Sequence, residues 1–292
     1  MINFETTLKI DKFPLDYFPV TYPFGGVNST VSGVGYNAAR ALVTLGARVN
    51  LTSITGRDDV SSVIVGQMKK CRIETDFIVK SIQNTPQSVI IFETGGRRQI
   101  HVDLKDIQAA LYPQDLFIKA AEGCDALILC NINFSRPMLF EAKRMNKLIA
   151  TDVHALSSPE DDYNSDFMRH SDILFLSDEN IGSGVRQFAA ELARRYSNEI
   201  IVIGMGSKGA LLYVKKDETF RHFEALNMRP VINTIGAGDA LFSAFVYFYI
   251  KTGDPYFSMT RASAFASYKI GANGGAEGFL TQEELEEKIS GI

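Results

Sequence analysis

The chain has 292 residues, 46% hydrophobic and 22% charged, the balance of a water-soluble globule with a sizeable core. Net charge is −4 with no basic block, which argues against nucleic acid as a primary partner. No apolar run reaches the length of about eighteen residues that a membrane span needs, and no signal-peptide pattern is present, so a cytoplasmic location without a membrane partner is expected.

Cys71, Cys124 and Cys130 are an odd set without a C-x-x-C spacing, as in a reducing compartment, and the four histidines lack metal-ligand spacing. In chain order, TTLKI and FPLDYFPV alternate apolar and polar residues and predict strands with one wet face. GYNAARALVTLG predicts a helix with Ala38, Ala39, Ala41, Leu42 and Leu45 as its apolar stripe and Gly46 as its stop. RVNLTSITG predicts a buried strand. DDVSSVIVGQMKKC predicts a helix whose acidic start and basic end suit the macrodipole. QSVIIFET, Gly95-Gly96 and RRQIHVDL form a hairpin pattern.

From about residue 115, short apolar runs (DALILCNI, KLIATDV, DILFLS, IIVIGMG) alternate with the helical stretches RPMLFEAKRM, DYNSDFMRH and GVRQFAAELARRY. That rhythm predicts a mainly parallel sheet covered on both faces. GALLYVKKDETFRHFEAL adds two strands. DALFSAFVYFYIKTG, DPYFSMTRASAFASYKIG and TQEELEEKIS add three helices. The expected architecture is one doubly wound α/β domain over residues 1–292, with a small β-sheet lid built from about 6–32 and 86–106. Ligands of such sheets sit outside the carboxyl ends of the strands, where MGSKG and TIGAGD fall.

The segment NTIGAGDALFSAF carries one acid at the mouth of an uncharged helix. Gly236 and Gly238 permit a tight turn, Ala237 adds little bulk, and the free N–H groups of a helix start make an anion site. Asp239 beside that site reads either as a dipole-favoured first-turn acid or as the base that takes a proton from an attacking hydroxyl.

Asn233–Asp239 resembles the D-T-x-G-A-G-D signature of ribokinase-like (PfkB) sugar and nucleoside kinases, and the similarity runs over nearly the whole chain. SGVGYNAARALVTLG resembles the family's early G-G-x-G-x-N motif, IVIGMGSKGALLY its strand before the nucleotide loop, and ASAFASYKIGANGGAEGFLTQEEL its C-terminal helix and base-binding loop. The resemblance implies an ATP-dependent kinase of a primary hydroxyl. It makes Asp239 the general base and the amides of Gly236, Ala237 and Gly238 the anion hole. Ser207, Lys208, Gly209 and Asn273 are then nucleotide-binding, although GSKG reads equally as a plain β-turn.

On the acceptor side, Asn3 and Glu5 resemble the family's N-x-D, with Glu one methylene longer. Gly33 lets backbone approach the substrate, and Asn37 offers a donor and an acceptor to a diol. Asn131 and Asn133 match polar positions of nucleoside-type members, pseudouridine kinases among them, although Tyr36 stands where pseudouridine kinases carry Arg. Tyr22, Phe24 and Phe92 read either as stacking residues or as packing. Arg97 and Arg98 read either as phosphate contacts or as exposed hairpin cations.

Two departures stand out. Asn233 replaces the family's Asp at a position that helps hold K⁺, so that site is weaker or absent, with the loop from Asn273 to Gly278 supplying backbone ligands. The family's N-x-x-E falls in LSDENIG with its acids displaced, which leaves Glu179 as a water-mediated Mg²⁺ partner or a plain helix-start acid. These departures keep open a rival reading, a nucleotide- or sugar-binding sensor with little catalysis. A dinucleotide oxidoreductase is disfavoured, because no G-x-G-x-x-G follows the first strand. The lid's apolar strands lead to an expected homodimer formed through that sheet.

Overall fold

Four consecutive apolar runs build a parallel sheet whose residues alternate between two cores. The computed structural model describes residues 1–94 and 96–291. Ahead of that sheet come β1 (Asn3–Ile10), β2 (Val27–Ser32), α1 (Val34–Leu45), β3 (Ser53–Gly56), α2 (Asp59–Lys70), β4 (Ile78–Ile82), β5 (Gln87–Glu93), β6 (Arg98–Asp103) and α3 (Gln114–Ala121). Then follow β7 (Ala126–Ile128), α4 (Arg136–Arg144), β8 (Leu148–Ala155), α5 (Ser165–His170), β9 (Ile173–Ser177), α6 (Val185–Arg195) and β10 (Ile200–Gly204). The chain closes with β11 (Ala210–Val214), β12 (Thr219–Phe223), α7 (Ala237–Thr252), α8 (Pro255–Lys269) and α9 (Gln282–Ser290).

The main sheet has the order β12-β11-β10-β9-β8-β7, parallel from β7 to β10 and antiparallel at β11 and β12. On β9, Leu174 and Leu176 join Leu139, Phe167 and Leu192 of α4, α5 and α6. Ile173 and Phe175 join Phe242, Phe245 and Phe265 of α7 and α8 on the other face. Burial on both faces explains why these strands read as continuous apolar runs. α7 carries no charge from Ala240 to Ile250 because it lies in the second of these cores.

The lid is a separate sheet of order β2-β1-β5-β6, antiparallel except for the parallel β1–β5 pair. It starts at Asn3 and so includes Asn3 and Glu5 of β1, the expected acceptor-side residues. β5 and β6 form the expected hairpin; Gly95 of its Gly95-Gly96 turn lies outside the described residues.

Three expectations change. FPLDYFPV is not a strand: Pro14 and Pro19 withdraw ladder donors, and Tyr17 and Phe18 point to solvent. RVNLTSITG is strand only over its last four residues, where β3 pairs with β4 as a small parallel sheet. α3, eight residues opening after Pro113, has too short an apolar period to stand out in the sequence.

Candidate active site

The turn before α7 is a backbone device. Gly236 sits at φ 73°, and a Cβ there would meet Gly275 O at 2.4 Å, so only glycine fits. A Cβ on Gly238 would meet nothing within 4 Å, which leaves room over the helix start for a ligand. Among the described residues, no acceptor takes the N–H of Gly236 or Gly238, whereas Ala237 N–H donates to Thr234 O at 3.2 Å. The expected three-amide anion hole therefore has two amides open and the Ala237 amide engaged within the turn.

Asp239 stands on the first turn of α7. Its Oδ2 accepts from Asn37 Nδ2 at 2.7 Å, and Asn37 Oδ1 accepts from Ser32 Oγ at 3.3 Å. The carboxyl is half-buried, and burial pushes its pKa up. The Asn37 bond, His154 and Lys269 oppose that rise, and Asp152 adds to it. A carboxylate poised upward with one oxygen held is the electrostatic form of a general base.

The covered face of β1 is polar where a packed sheet would be apolar. Asn3, Glu5 and Thr7 alternate inward, each at most 5% exposed, beside Ser88 of β5. Asn3 Nδ2 donates to Ser88 Oγ at 3.0 Å. Asn3 Oδ1 and Glu5 Oε1 are buried without any hydrogen-bond partner. Burial raises the Glu5 pKa; the nearby Ser32 hydroxyl opposes this, Asp239 adds to it, and Lys269 works against it. Orphaned buried acceptors are costly unless a ligand supplies donors.

The lid hairpin reaches the same turn. Arg98 donates to Thr234 Oγ1 at 2.9 Å and to Glu179 Oε1 at 3.0 Å, and Ile90 and Phe92 pack on Ile235. A cavity of about 600 Å³ lies beside this bridge, lined by Phe13, Gly96, Arg97, Arg98, Gln99, Ile100 and Glu179. Asp239 is not in its lining, although Arg98, which is, bonds Thr234 of the turn before α7. Among the described residues, no group of three or more His, Cys, Asp or Glu can hold a metal. One exposed carboxylate, Glu179, fits Mg²⁺ only in the hydrated form that rests mostly on phosphates and water.

The pfkB family carbohydrate kinase profile matches residues 7–282. The chain belongs to this family. A deoxyribokinase of Salmonella typhi is 24% identical over 271 residues, covering 88% of this chain and 87% of its own length. A microbiome-derived acarbose kinase shares the fold with TM-score 0.89 at 22% identity, covering 99% of this chain and 96% of its own. Arabidopsis thaliana ribokinase, solved with ribose and ATP, shares it with TM-score 0.80 at 16% identity, covering 99% and 96%. This pfkB kinase is thus a phosphotransferase with an alcohol acceptor, in a family that uses ATP and Mg²⁺.

Other expected site residues of the pfkB kinase take these places. Ser207 and Lys208 lie exposed in the turn after β10, and a Cβ on Gly209 would meet Phe223 O at 1.9 Å, so that turn admits only glycine. Asn273 is exposed in the C-terminal loop, and its carbonyl accepts from Asn233 Nδ2 at 2.7 Å. Gly33, at φ 98°, makes its close approach to the chain's own Met1 O, 2.8 Å from an added Cβ, so its backbone supports β1. Asn133 spends its Nδ2 on Gln108 O at 3.1 Å and its N–H on Gln108 Oε1 at 3.2 Å, and Asn131 bonds Asn164 Oδ1. These two asparagines tie loops together. Tyr22 and Phe24 are exposed and stack on each other.

Three groups near Asp239 escaped the sequence reading. Asp152 and His154 lie in the irregular end of β8, where His154 takes φ 62°. That backbone strain marks the carboxyl end of a central strand, but nothing in ATDVHA signals it. Lys269, the last residue of α8, is fully buried. A Lys in an apolar helix gives a signal only once its burial is known.

Proposed function

We propose that this pfkB kinase phosphorylates a primary hydroxyl of a small sugar. The carrying observation is Asp239, held by Asn37 at the start of α7, next to the open Gly236 and Gly238 amides. Asp239 accepts the hydroxyl proton while those amides receive the charge of the transferred group. ATP is the phosphoryl donor and carries Mg²⁺ on its phosphates, with Glu179 as a water-mediated partner. Ser207, Lys208, Gly209 and Asn273 border the nucleotide.

Asn3 Oδ1 and Glu5 Oε1 accept from the sugar hydroxyls, which supports a polyol as the missing partner. Glu5 is longer than the family's Asp, so those contacts differ from the family's. A sugar is favoured over a nucleoside because Phe92 packs on Ile235, and Tyr22 and Phe24 stack on each other, which leaves none of the three poised for a base. The relative named as a deoxyribokinase supports the same choice.

The chain works as one α/β domain with its lid and as a homodimer. β6 is an edge strand with all six residues exposed, Ile100 and Val102 among them, a template for pairing with a second copy. Light scattering at the monomer mass would refute the dimer.

The deciding experiment is a coupled ADP-release assay across sugars and nucleosides. Turnover with a sugar supports the proposal. Ligand-dependent thermal stabilisation without ADP would favour a sensor, the reading that Asn233 and the displaced acids motivate.

A further inference from the structure

The resemblance to the family calls for a monovalent cation beside the anion hole, and the residues present do not fit one. Asn273 O, in the loop expected to supply cation ligands, accepts from Asn233 Nδ2 at 2.7 Å. Asn233 Oδ1 accepts from Ile235 N at 3.0 Å. The carbonyl of Ile235 accepts from Lys269 Nζ. Amide and ammonium protons therefore occupy oxygens that would otherwise face an ion.

We propose that Lys269 supplies the cation from within the chain, so that phosphoryl transfer proceeds without bound K⁺. The proposal rests on the kinase reading above. Lys269 is 0% exposed, and Ile235 O is its one hydrogen-bond acceptor among the described residues. A buried ammonium is costly unless opposite charge compensates it. Here Asp239, Glu5 and Glu277 face it, against Arg229 as the like charge. Its place at the C-terminal end of α8 adds the favourable end of that helix's dipole.

The geometry gives the ammonium a function at a distance. In a trans peptide the C=O and the N–H point in opposite directions. Holding Ile235 O on Lys269 therefore aims the N–H of Gly236 away from the ammonium, and that N–H has no acceptor among the described residues. The positive charge also polarises the peptide and strengthens that donor. Lys269 is a positioning residue that acts through the Ile235–Gly236 peptide.

The test compares KCl with tetramethylammonium chloride at equal ionic strength. It reads the melting temperature of the ligand-free protein, the Kd for MgATP, and ADP release with 2-deoxyribose. The wild type should be indifferent to the cation in every readout. Lys269→Met should bind MgATP about tenfold more weakly in tetramethylammonium and recover in KCl or ammonium chloride, a specific rescue that loss of packing would not show. Lys269→Arg should stay indifferent.

K⁺-specific stabilisation or activation of the wild type would overturn the assignment. So would a Lys269→Met protein that behaves as wild type in both salts, or a loss that no small cation restores. If Lys269→Met does not fold, the wild type and Lys269→Arg decide. No ADP formed from any acceptor would sink the kinase reading and this assignment with it, whereas ADP release that requires K⁺ would sink the lysine assignment alone.

Discussion

Asn37 Nδ2 meets Asp239 Oδ2 at 2.7 Å, although 202 positions separate the two residues in sequence. The bond joins α1, which follows the lid strand β2, to the first turn of α7. It orients one carboxylate oxygen, Oδ2. Through Ser32, which bonds Asn37 at 3.3 Å, it couples Asp239 to the polar face of the lid.

Replacing Asp239 with Asn removes the proton acceptor while keeping the shape. Turnover in the ADP-release assay is expected to fall by about 10²-fold or more, with little change in the affinity for ATP. Full activity in that variant would refute Asp239 as the base.

The acid limb of kcat/KM should lie above the ordinary carboxylate range, because burial raises the Asp239 pKa. The Asn37 bond favours the charged form, so Asn37→Ala should move that limb to still higher pH. A pH profile that is unchanged in Asn37→Ala would contradict this electrostatic role.

Burial lowers the Lys269 pKa from 10.5 to about 8, so kcat/KM should also fall as pH rises through about 8. Stability should move the other way. Between pH 8 and 10.5 the unfolded chain holds this proton and the folded chain sheds it, so unfolding becomes harder as pH rises. The effect is on the order of 3 kcal/mol. It is measured as the difference in unfolding free energy between wild type and Lys269→Met across that window, with Asp239, Glu5, Glu277 and Arg229 as the charges that shape it. A difference that stays flat would contradict it.

Gly236→Ala places a Cβ 2.4 Å from Gly275 O at a backbone φ of 73°. The expected cost is roughly 1–3 kcal/mol of stability, and turnover should fall more than tenfold as the cradle shifts. Chemical denaturation and ADP release read the two effects. Wild-type values for both would mean that the turn tolerates the side chain.

Arg98→Ala breaks the bridge from the lid to Thr234 and Glu179. The ion pair is solvent-exposed, so stability should change by less than about 1 kcal/mol. Catalysis should suffer more, because the hairpin loses its hold on the turn before α7. A wild-type kcat/KM would return Arg98 to the status of a surface cation.

Much of this was legible locally. Gly-Ala-Gly-Asp before an uncharged run announces a tight turn, exposed amides and an acid, because glycine and helix-start chemistry act within a few residues. The continuous apolar runs announced β8, β9 and β10 for a similar reason, since burial on both faces removes alternation. FPLDYFPV misled because alternation outweighed its two prolines. The tie between Asn133 and Gln108 was not legible, because it joins two loops that neither motif encodes.

The sequence alone determined the family, the parallel sheet and the identity of the acid at the head of α7, since each rests on residue types at short spacing. The tertiary structure decided which polar atoms meet across it. It set Asn37 against Asp239, Arg98 against Thr234, and the Lys269 ammonium against a backbone carbonyl 34 residues away. Contacts of that kind depend on how separate elements pack, and a carbonyl oxygen is common to every residue, so it leaves no mark in the sequence.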